Sequence, residues 1–336
     1  MNARTTPAQV AALSVDYADP ARLPELLADE QVLAIFGFQA GDGAPPSDDP
    51  RYLQVGLQAD APAQLEVWRS RYPVNCGRDA DGLAWASDGA LMFGVMQVEE
   101  AAHGGISGAA EHAYARLLAA LPAHDYPHLL RIWNYMDAII EGEGDQERYR
   151  QFCVGRAHGI GAIDTRTLPA ATAVGRVDGV RVLQVYWLAA RNPGTPLENP
   201  RQVSAYHYPR QYGPQSPSFA RAMLAATGSD LPLLLSGTAS VVGHATLHGD
   251  STERQLQETF NNFEALIGAA RRHRPSLPEH FGAGSRLKVY VSDAAEIASV
   301  RQALSERLPD GVPYIVLNAV VCRRDLRVEI DGVHAA

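Results

Sequence analysis

The stretch that decides the fold is Cys322-Arg323-Arg324-Asp325-Leu326-Arg327-Val328-Glu329-Ile330-Asp331-Gly332. From Leu326 onward apolar and charged residues alternate, which is the period of a half-buried β-strand. Glu329 lies in the middle of this strand, seven residues after the lone Cys322. On pattern alone, such a carboxylate is more often a solvent-facing surface group. A chemical role for Glu329 has to be argued from the rest of the chain.

Two rounds of strands and helices occur along the chain in the same order. The first round predicts a strand at 89–96, a helix at 109–121, a strand at 128–136, a helix around 145–155 and strands at 170–174 and 180–188. The second predicts a strand at 233–241, a helix at 252–270, a strand at 287–291, a helix at 294–307 and strands at 314–321 and 326–333. Residues 1–75 are interpreted as loop-rich, with one strand at 31–38. The repeated order indicates a duplicated unit.

The composition is that of an ordinary globular protein. The 336 residues are 46% hydrophobic and 20% charged, and their number allows two domains. A net charge of −9 argues against a general nucleic-acid binder, although a few local arginines still suffice for an anionic small substrate. No run is apolar enough to span a membrane, and residues 1–20 have no secretory signal.

The cysteines indicate the compartment. Cys76, Cys153 and Cys322 are far apart and form no CxxC pair, which argues against a disulfide framework and against a zinc site. No GxGxxG or P-loop motif is present. We therefore expect a cytosolic protein that has neither a metal nor a nucleotide cofactor.

Four segments of the second round, at 235–238, 255–267, 289–293 and 324–330, together resemble the RidA/YjgF-like fold. The first round resembles a diverged copy, with Leu168-Pro169-Ala170-Ala171 in the place of the Pro-Ala segment of that family. The resemblance implies an α+β protein of two fused RidA/YjgF-like halves packed as a pseudo-trimer-like unit. The N-terminal half with its extension spans 1–195, and the C-terminal half, which carries Glu329, spans 196–336.

Two further stretches, SAYHYPRQYGP at 204–214 and ERYRQFCVGR at 147–156, make the chain resemble the chorismatases over roughly residues 30–335. That resemblance implies an enzyme that binds chorismate between the halves and removes pyruvate from it without metal or organic cofactor. The implied product is 3-hydroxybenzoate, and some relatives also make 4-hydroxybenzoate. Fusion lets one chain supply the cleft that RidA-like trimers build from several chains, so we expect a monomer with no nucleic-acid or membrane partner.

Removal of pyruvate without a metal requires protonation of the methylene carbon of the enol ether. This needs a general acid that stays protonated near neutral pH, a state that a carboxyl reaches by burial. Glu329, flanked by Val328 and Ile330, is the expected acid. Cys322 is either a small buried hydrophobe or, as the resemblance implies, part of the 3-hydroxybenzoate-forming site, in which the ring hydroxyl displaces the pyruvyl oxygen internally.

The expected substrate-binding residues are Arg150, Arg156, Arg210, Tyr208, Tyr212, Asn134, Gly237 and Ala239. The arginines suit the two substrate carboxylates because the guanidinium pairs with a carboxylate bidentately, although each is otherwise a surface arginine. The tyrosines suit a flat ring, unless they only pack an irregular loop. Asn134 ends a strand and is expected to donate to the ring hydroxyl. The two small residues are expected to influence the product.

Three rival functions remain. A hydrolytic chorismatase has the same acid, uses water as the nucleophile and gives a dihydroxycyclohexadiene carboxylate; Ala239 favours this reaction. A non-catalytic RidA-like protein uses Glu329 only to bind a ligand. An imine deaminase requires an arginine near Tyr314, and none lies between Leu308 and Val321, so this function is disfavoured.

Overall fold

The computed structural model describes residues 12–38, 47–59, 65–162, 164–226 and 229–335. These residues form nineteen strands and five α-helices. The strands are β1 (Leu13–Ala18), β2 (Val32–Phe38), β3 (Tyr52–Val55), β4 (Gln58–Ala59), β5 (Leu65–Ser70), β6 (Asn75–Arg78), β7 (Ala84–Ser87), β8 (Leu91–Glu99), β9 (His128–Asp137), β10 (Ala170–Arg176), β11 (Val182–Ala190), β12 (Thr195–Leu197), β13 (Ala222–Leu224), β14 (Leu233–Ala239), β15 (Val241–Val242), β16 (Ala245–Thr246), β17 (Arg286–Val291), β18 (Tyr314–Asn318) and β19 (Val328–His334). The helices are α1 (Leu23–Ala28), α2 (Ile106–Ala123), α3 (Arg148–Ile160), α4 (Thr252–His273) and α5 (Ile297–Arg307).

The predicted duplication is visible in two sheets of the same topology. The second sheet has the order β6-β7-β8-β11-β9-β10, and the third has the order β12-β13-β14-β19-β17-β18-β4. One neighbouring pair in each sheet is parallel, β9 with β10 and β17 with β18. The other pairs are antiparallel. The duplicated α+β architecture is therefore confirmed, with β4 added at the edge of the third sheet.

A third, shorter copy of the unit lies near the N-terminus. This first sheet has the order β1-β5-β2-β3, in which only β2 and β3 are parallel. The order matches β8-β11-β9-β10, and α1 follows β1 as α2 follows β8. The strand predicted at 31–38 is β2, but the interpretation of residues 1–75 as containing only that strand was wrong. It missed the short strands β1, β3 and β5, which have four to six residues each.

The inner faces of the three sheets meet in one aromatic core. Phe36 on β2 stacks on Tyr186 of β11 with 4.2 Å between ring centroids, and Trp133 on β9 lies 4.8 Å from the same ring. Trp68 on β5 contacts Trp133 edge-on at 5.7 Å. The outer faces are covered by α1 on the first sheet, α2 and α3 on the second, and α4 and α5 on the third. Central strands are consequently buried on both faces.

Helix α4 begins and ends at recognisable sequence signals. Ser251 caps α4 by accepting a hydrogen bond from the Arg254 N–H at 3.2 Å, and Arg271, Arg272 and His273 in its last turn complement the helix dipole. No helix within the described ranges is long and apolar enough to cross a membrane.

The division of the chain at residues 195 and 196 falls inside β12 (Thr195–Leu197), which pairs with β13 of the third sheet. The segment from 195 to 197 therefore packs with the C-terminal half. The assignment of 1–195 and 196–336 as two domains stays a prediction.

Candidate active site

A cavity of about 690 Å³ lies between the second and third sheets, within the size range of small-molecule sites. The cavity is lined by residues of both sheets, among them Asn134, Thr172, Ala173, Gly237, Ala239 and Glu329. Beside the cavity, Gly175 and Val320 exchange backbone hydrogen bonds of 2.7 and 2.9 Å, which join the edge of β10 to the segment that follows β18. This seam holds the two walls of the cavity in a fixed relation.

Glu329 lies at the centre of the third sheet, between β14 and β17. The residue is only 5% exposed and lines the cavity. Burial, and after it the nearby Asp331 carboxylate, raise the pKa of Glu329 from its usual 4.5 to about 8 against the opposing effect of three arginines. The carboxyl therefore keeps its proton at neutral pH, as a general acid must.

Gly237 makes room for this acid. A Cβ at position 237 would lie 2.0 Å from Glu329 Oε1, so a side chain there would displace the carboxyl. The Gly237 N–H donates to Thr172 Oγ1 at 3.0 Å, which fixes β14 against β10. Ala239 pairs directly with Glu329 in the register of β14 and β19. The structure therefore brings both predicted small residues to the acid.

Two arginines that sequence patterns did not reveal, Arg221 and Arg323, line the cavity with Glu329. Arg221 is buried and donates to the Tyr208 hydroxyl at 2.7 Å. The guanidinium of Arg323 lies 4.1 Å from the ring centre of Tyr212 and 5.0 Å from that of Tyr208. The two tyrosine rings are 5.5 Å apart, so they form an aromatic wall bordered by two cations.

Signals for both arginines lay in the sequence. Arg323 follows Cys322 directly, and Arg221 lies in the SFARA segment after the Tyr-rich stretch at 204–214. Spacing alone does not show that these two segments, about a hundred residues apart, meet at Glu329.

Arg150 and Arg156 reach the cavity from α3. Arg156 is buried and donates to a backbone carbonyl at 2.6 Å. Arg150 lies 3.9 Å from Asp145 and 3.7 Å from Glu147. The Nε atoms of Arg150, Arg156 and Arg221 are buried without a hydrogen-bond partner in the described part of the chain. The guanidinium groups of these three arginines line the cavity and are suited to pair with ligand carboxylates.

The structure does not place Arg210 among the residues that line the cavity. Its side chain is 65% exposed, and its terminal nitrogens lie 2.9 and 2.5 Å from the two carboxylate oxygens of Asp145. Arg210 begins the 3-10 turn Arg210–Tyr212, in which successive side chains point about 120° apart. The turn that puts Tyr212 on the cavity therefore leaves Arg210 at the surface.

Asn134 lines the cavity, but the protein already uses most of its amide. Its Oδ1 accepts a hydrogen bond from the Tyr114 hydroxyl at 2.8 Å, and its Nδ2 donates to the Thr172 carbonyl at 3.0 Å. One Nδ2 hydrogen is left for a ligand.

Cys322 lines the cavity with Glu329. Burial raises the pKa of the Cys322 thiol, and the Glu329 carboxylate raises it further. Cys153 on α3 belongs to the same apolar cluster, and burial raises its pKa to about 12. At neutral pH both residues are thiols, so Cys322 offers a neutral S–H group and no thiolate nucleophile.

Comparisons with known proteins agree with one another. Residues 66–189 match the family model "Chorismatase FkbO/Hyg5-like, N-terminal". A chorismatase of Streptomyces hygroscopicus is 34% identical over 319 residues, which cover 93% of this chain and 92% of that protein. A 3-hydroxybenzoate synthase of the same species is 34% identical over 301 residues, covering 86% and 87%. A crystal structure of a chorismatase matches with a TM-score of 0.84 at 33% identity, covering 98% of this chain and 100% of that one.

Proposed function

The chain belongs to the chorismatase family, and on that basis we propose that it removes pyruvate from chorismate and releases 3-hydroxybenzoate. The observation that carries this proposal is Glu329, a buried carboxyl with a pKa of about 8 that lines the cavity between the second and third sheets. A carboxyl that is protonated at neutral pH is the acid that enol-ether cleavage requires.

In the proposed reaction, Glu329 protonates the methylene carbon of the enolpyruvyl ether. The ring hydroxyl then attacks the neighbouring ring carbon, and the bond from that carbon to the ether oxygen breaks with its electron pair leaving on pyruvate. The Glu329 carboxylate accepts the hydroxyl proton. The epoxide that results opens and loses its ring proton to form the phenol. Chorismate is thereby converted into pyruvate and 3-hydroxybenzoate with no added water.

The cavity offers matching groups for the substrate. Arg150, Arg156 and Arg221 are suited to its two carboxylates, and Tyr208 and Tyr212 are suited to the face of its ring. All of these groups belong to one chain, which supports the proposal that the enzyme acts as a monomer. Unpaired thiols at Cys76, Cys153 and Cys322 support a cytosolic location.

Hydrolysis to the dihydroxycyclohexadiene carboxylate is the second candidate. The observation in its favour is Ala239, because a small side chain directly opposite Glu329 leaves space for a water nucleophile. Cys322 favours the aromatising reaction, since it is the residue associated above with 3-hydroxybenzoate formation.

The test is incubation of the purified protein with chorismate, without added metal, followed by chromatography against pyruvate and hydroxybenzoate standards. Pyruvate with 3-hydroxybenzoate supports the proposal, and pyruvate with a non-aromatic diol supports hydrolysis. Absence of pyruvate overturns both. Glu329→Gln separates catalysis from ligand binding: we expect it to bind chorismate in calorimetry and to lose turnover by about 10²–10⁴-fold.

A further inference from the structure

Behind Glu329, four charged side chains are buried where the three sheets meet. They are Glu66 on β5, Arg131 on β9, and Lys288 and Asp331 on the third sheet, all 2% exposed or less. Arg131 lies 3.0 Å from Asp331, and Lys288 lies 2.8 Å from Glu66 and 3.7 Å from Asp331. Two carboxylates and two cations thus balance each other in the interior.

Asp331 is the member of this cluster that is linked to the acid. Its Oδ2 accepts hydrogen bonds from Thr172 at 2.7 Å, Tyr290 at 3.0 Å and Arg131 at 3.0 Å. Three donors on one oxygen, one of them a guanidinium, hold this carboxylate in a single position. The position of this negative charge is therefore fixed by residues of two sheets.

Asp331 and Glu329 lie on the same face of β19, because residues two apart on a strand share a face and are about 7 Å apart. A second link runs through Thr172, whose Oγ1 donates to Asp331 and accepts the Gly237 N–H at 3.0 Å. Gly237 is the residue against which the Glu329 carboxyl packs. Asp331 is therefore close to the acid in space and is also linked to it through Thr172 and through Gly237 on β14.

We propose that Asp331 is a positioning residue for Glu329, whose fixed negative charge keeps the acid in its neutral, protonated form before substrate is cleaved. This inference rests on the proposed function of Glu329 as the acid. The titratable and charged groups that face Glu329 are Asp331 on its own strand, Arg131 on β9, Arg221 before β13, Cys322 and Arg323 after β18, and Tyr149 on α3. The three arginines favour the charged form of Glu329 and lower its pKa. Without Asp331, mainly burial would oppose this lowering.

The test is the pH dependence of kcat in Asp331→Asn, which keeps the shape of the side chain and can still accept from Thr172. We expect the pH at which kcat falls to half to move down by about one unit, so that activity is about fivefold lower at pH 8 and near that of the parent at pH 6. A loss of equal size at every pH would overturn the inference, because a merely structural role does not move the midpoint.

Glu66→Gln is the matched control, since it removes a carboxylate of the same cluster that has no bond to Thr172. We expect its midpoint to equal that of the parent, and a shift as large as that of Asp331→Asn would also overturn the inference. If Asp331→Asn does not fold, the double variant Asp331→Asn/Lys288→Met keeps the buried charges balanced. It is expected to show the same downward shift, and an unmoved midpoint would count against the inference.

A readout without substrate separates this inference from the proposed function. Infrared difference spectra of the ligand-free protein, with Glu329→Gln as reference, follow the protonated carboxyl of Glu329 directly. A midpoint about one unit lower in Asp331→Asn supports the inference even if chorismate is not turned over, and an unmoved midpoint overturns it. Failure of chorismate turnover in the parent overturns only the proposed function.

Discussion

Glu329 is neutral in the folded protein across a pH range in which it is charged in the unfolded chain. Burial raises its pKa from 4.5 to about 8, so between these values the folded state holds a proton that the unfolded state has lost. The free energy of unfolding therefore declines as pH rises through this window, and from the proposed role of Glu329 we expect kcat to fall as pH rises through about 8.

The first prediction concerns Glu329→Gln, which removes this ionisation. We expect the variant to be more stable than the parent at pH 8 by a few kcal/mol, and the two to be equally stable near pH 4. Denaturant unfolding at both pH values measures the difference. A variant that is less stable than the parent at pH 8 would mean that Glu329 is charged in the fold.

A second prediction concerns Cys322, whose neutral thiol lines the cavity with the acid. Replacement by Ala removes a polarisable S–H group and leaves space for water. We expect Cys322→Ala to shift the product from 3-hydroxybenzoate toward the dihydrodiol, measured by chromatography. Cys153→Ala, which alters a neighbouring buried thiol, is the control and should leave the product unchanged.

A third prediction contrasts a buried arginine with an exposed one. Arg221 is 5% exposed and carries a free Nε among the described residues, whereas Arg210 forms a surface pair with Asp145. We expect Arg221→Met to raise the KM for chorismate by about 10–100-fold, because a buried carboxylate partner is lost. Arg210→Ala should leave KM unchanged within about twofold. Similar effects of the two substitutions would contradict the assignment.

At the scale of elements, the sequence predicted the long strands and helices of both rounds, but it missed the short edge strands β6, β7, β12 and β13 and whatever depends on contacts between elements. Periodicity identifies α4 because its buried residues Leu256, Phe260 and Phe263 recur at helical spacing. The predicted strand at 314–321 is shorter in the structure, ending at Asn318, whose side chain donates to the Val291 and Ser292 carbonyls. Alternation on β19 likewise cannot distinguish a solvent-facing carboxylate from one buried against another sheet.

A fourth prediction tests how β14 holds the acid. Gly237→Ala places a Cβ 2.0 Å from Glu329 Oε1, so we expect the carboxyl to move and kcat to fall by about 10²-fold. Gly268→Ala is the matched control, since Gly268 lies on the exposed side of α4 with no heavy atom near the added Cβ. It should keep full activity and stabilise the protein by about 0.5–1 kcal/mol. Full activity in Gly237→Ala would show that the glycine is not needed for the position of the acid.

On the scale of the whole molecule, three related units form one central core. Glu329 lies at only one of the contacts between them, the one between the second and third sheets. Gln184 lies between Gln97 on β8 and Tyr135 on β9, as Glu329 lies between Ala239 on β14 and Tyr290 on β17, so the two residues hold corresponding positions in their sheets. The Gln184 Nε2 donates to the Gln54 backbone carbonyl at 2.9 Å and to Gln97 Oε1 at 3.0 Å. A neutral amide thus stands there in place of the acid, with its nitrogen engaged twice and its Oε1 without a hydrogen-bond partner among the described residues. The order of elements along the sequence does not show this contact, because Gln54 belongs to the N-terminal unit, which only the structure reveals.

The same assembly of three units explains why the central ion cluster cannot be read from the sequence. Glu66 and Lys288 are 222 residues apart in the chain and lie on different sheets, yet their side chains are 2.8 Å apart. Burial by itself lowers the pKa of Lys288, but the Asp331 and Glu66 carboxylates outweigh burial and raise it. The cation therefore joins the first sheet to the third.

The last prediction follows from that link. Lys288→Met leaves the carboxylates of Glu66 and Asp331 without their shared cation, and we expect the free energy of unfolding to fall by about 3–5 kcal/mol. The double variant Lys288→Met/Glu66→Gln removes one charge of each sign, so it should recover part of this loss. Guanidinium unfolding of the parent, both single variants and the double variant gives the coupling energy. A coupling near zero would mean that the Lys288–Glu66 pair adds nothing to stability beyond what the aromatic packing and the other polar contacts between the sheets already supply.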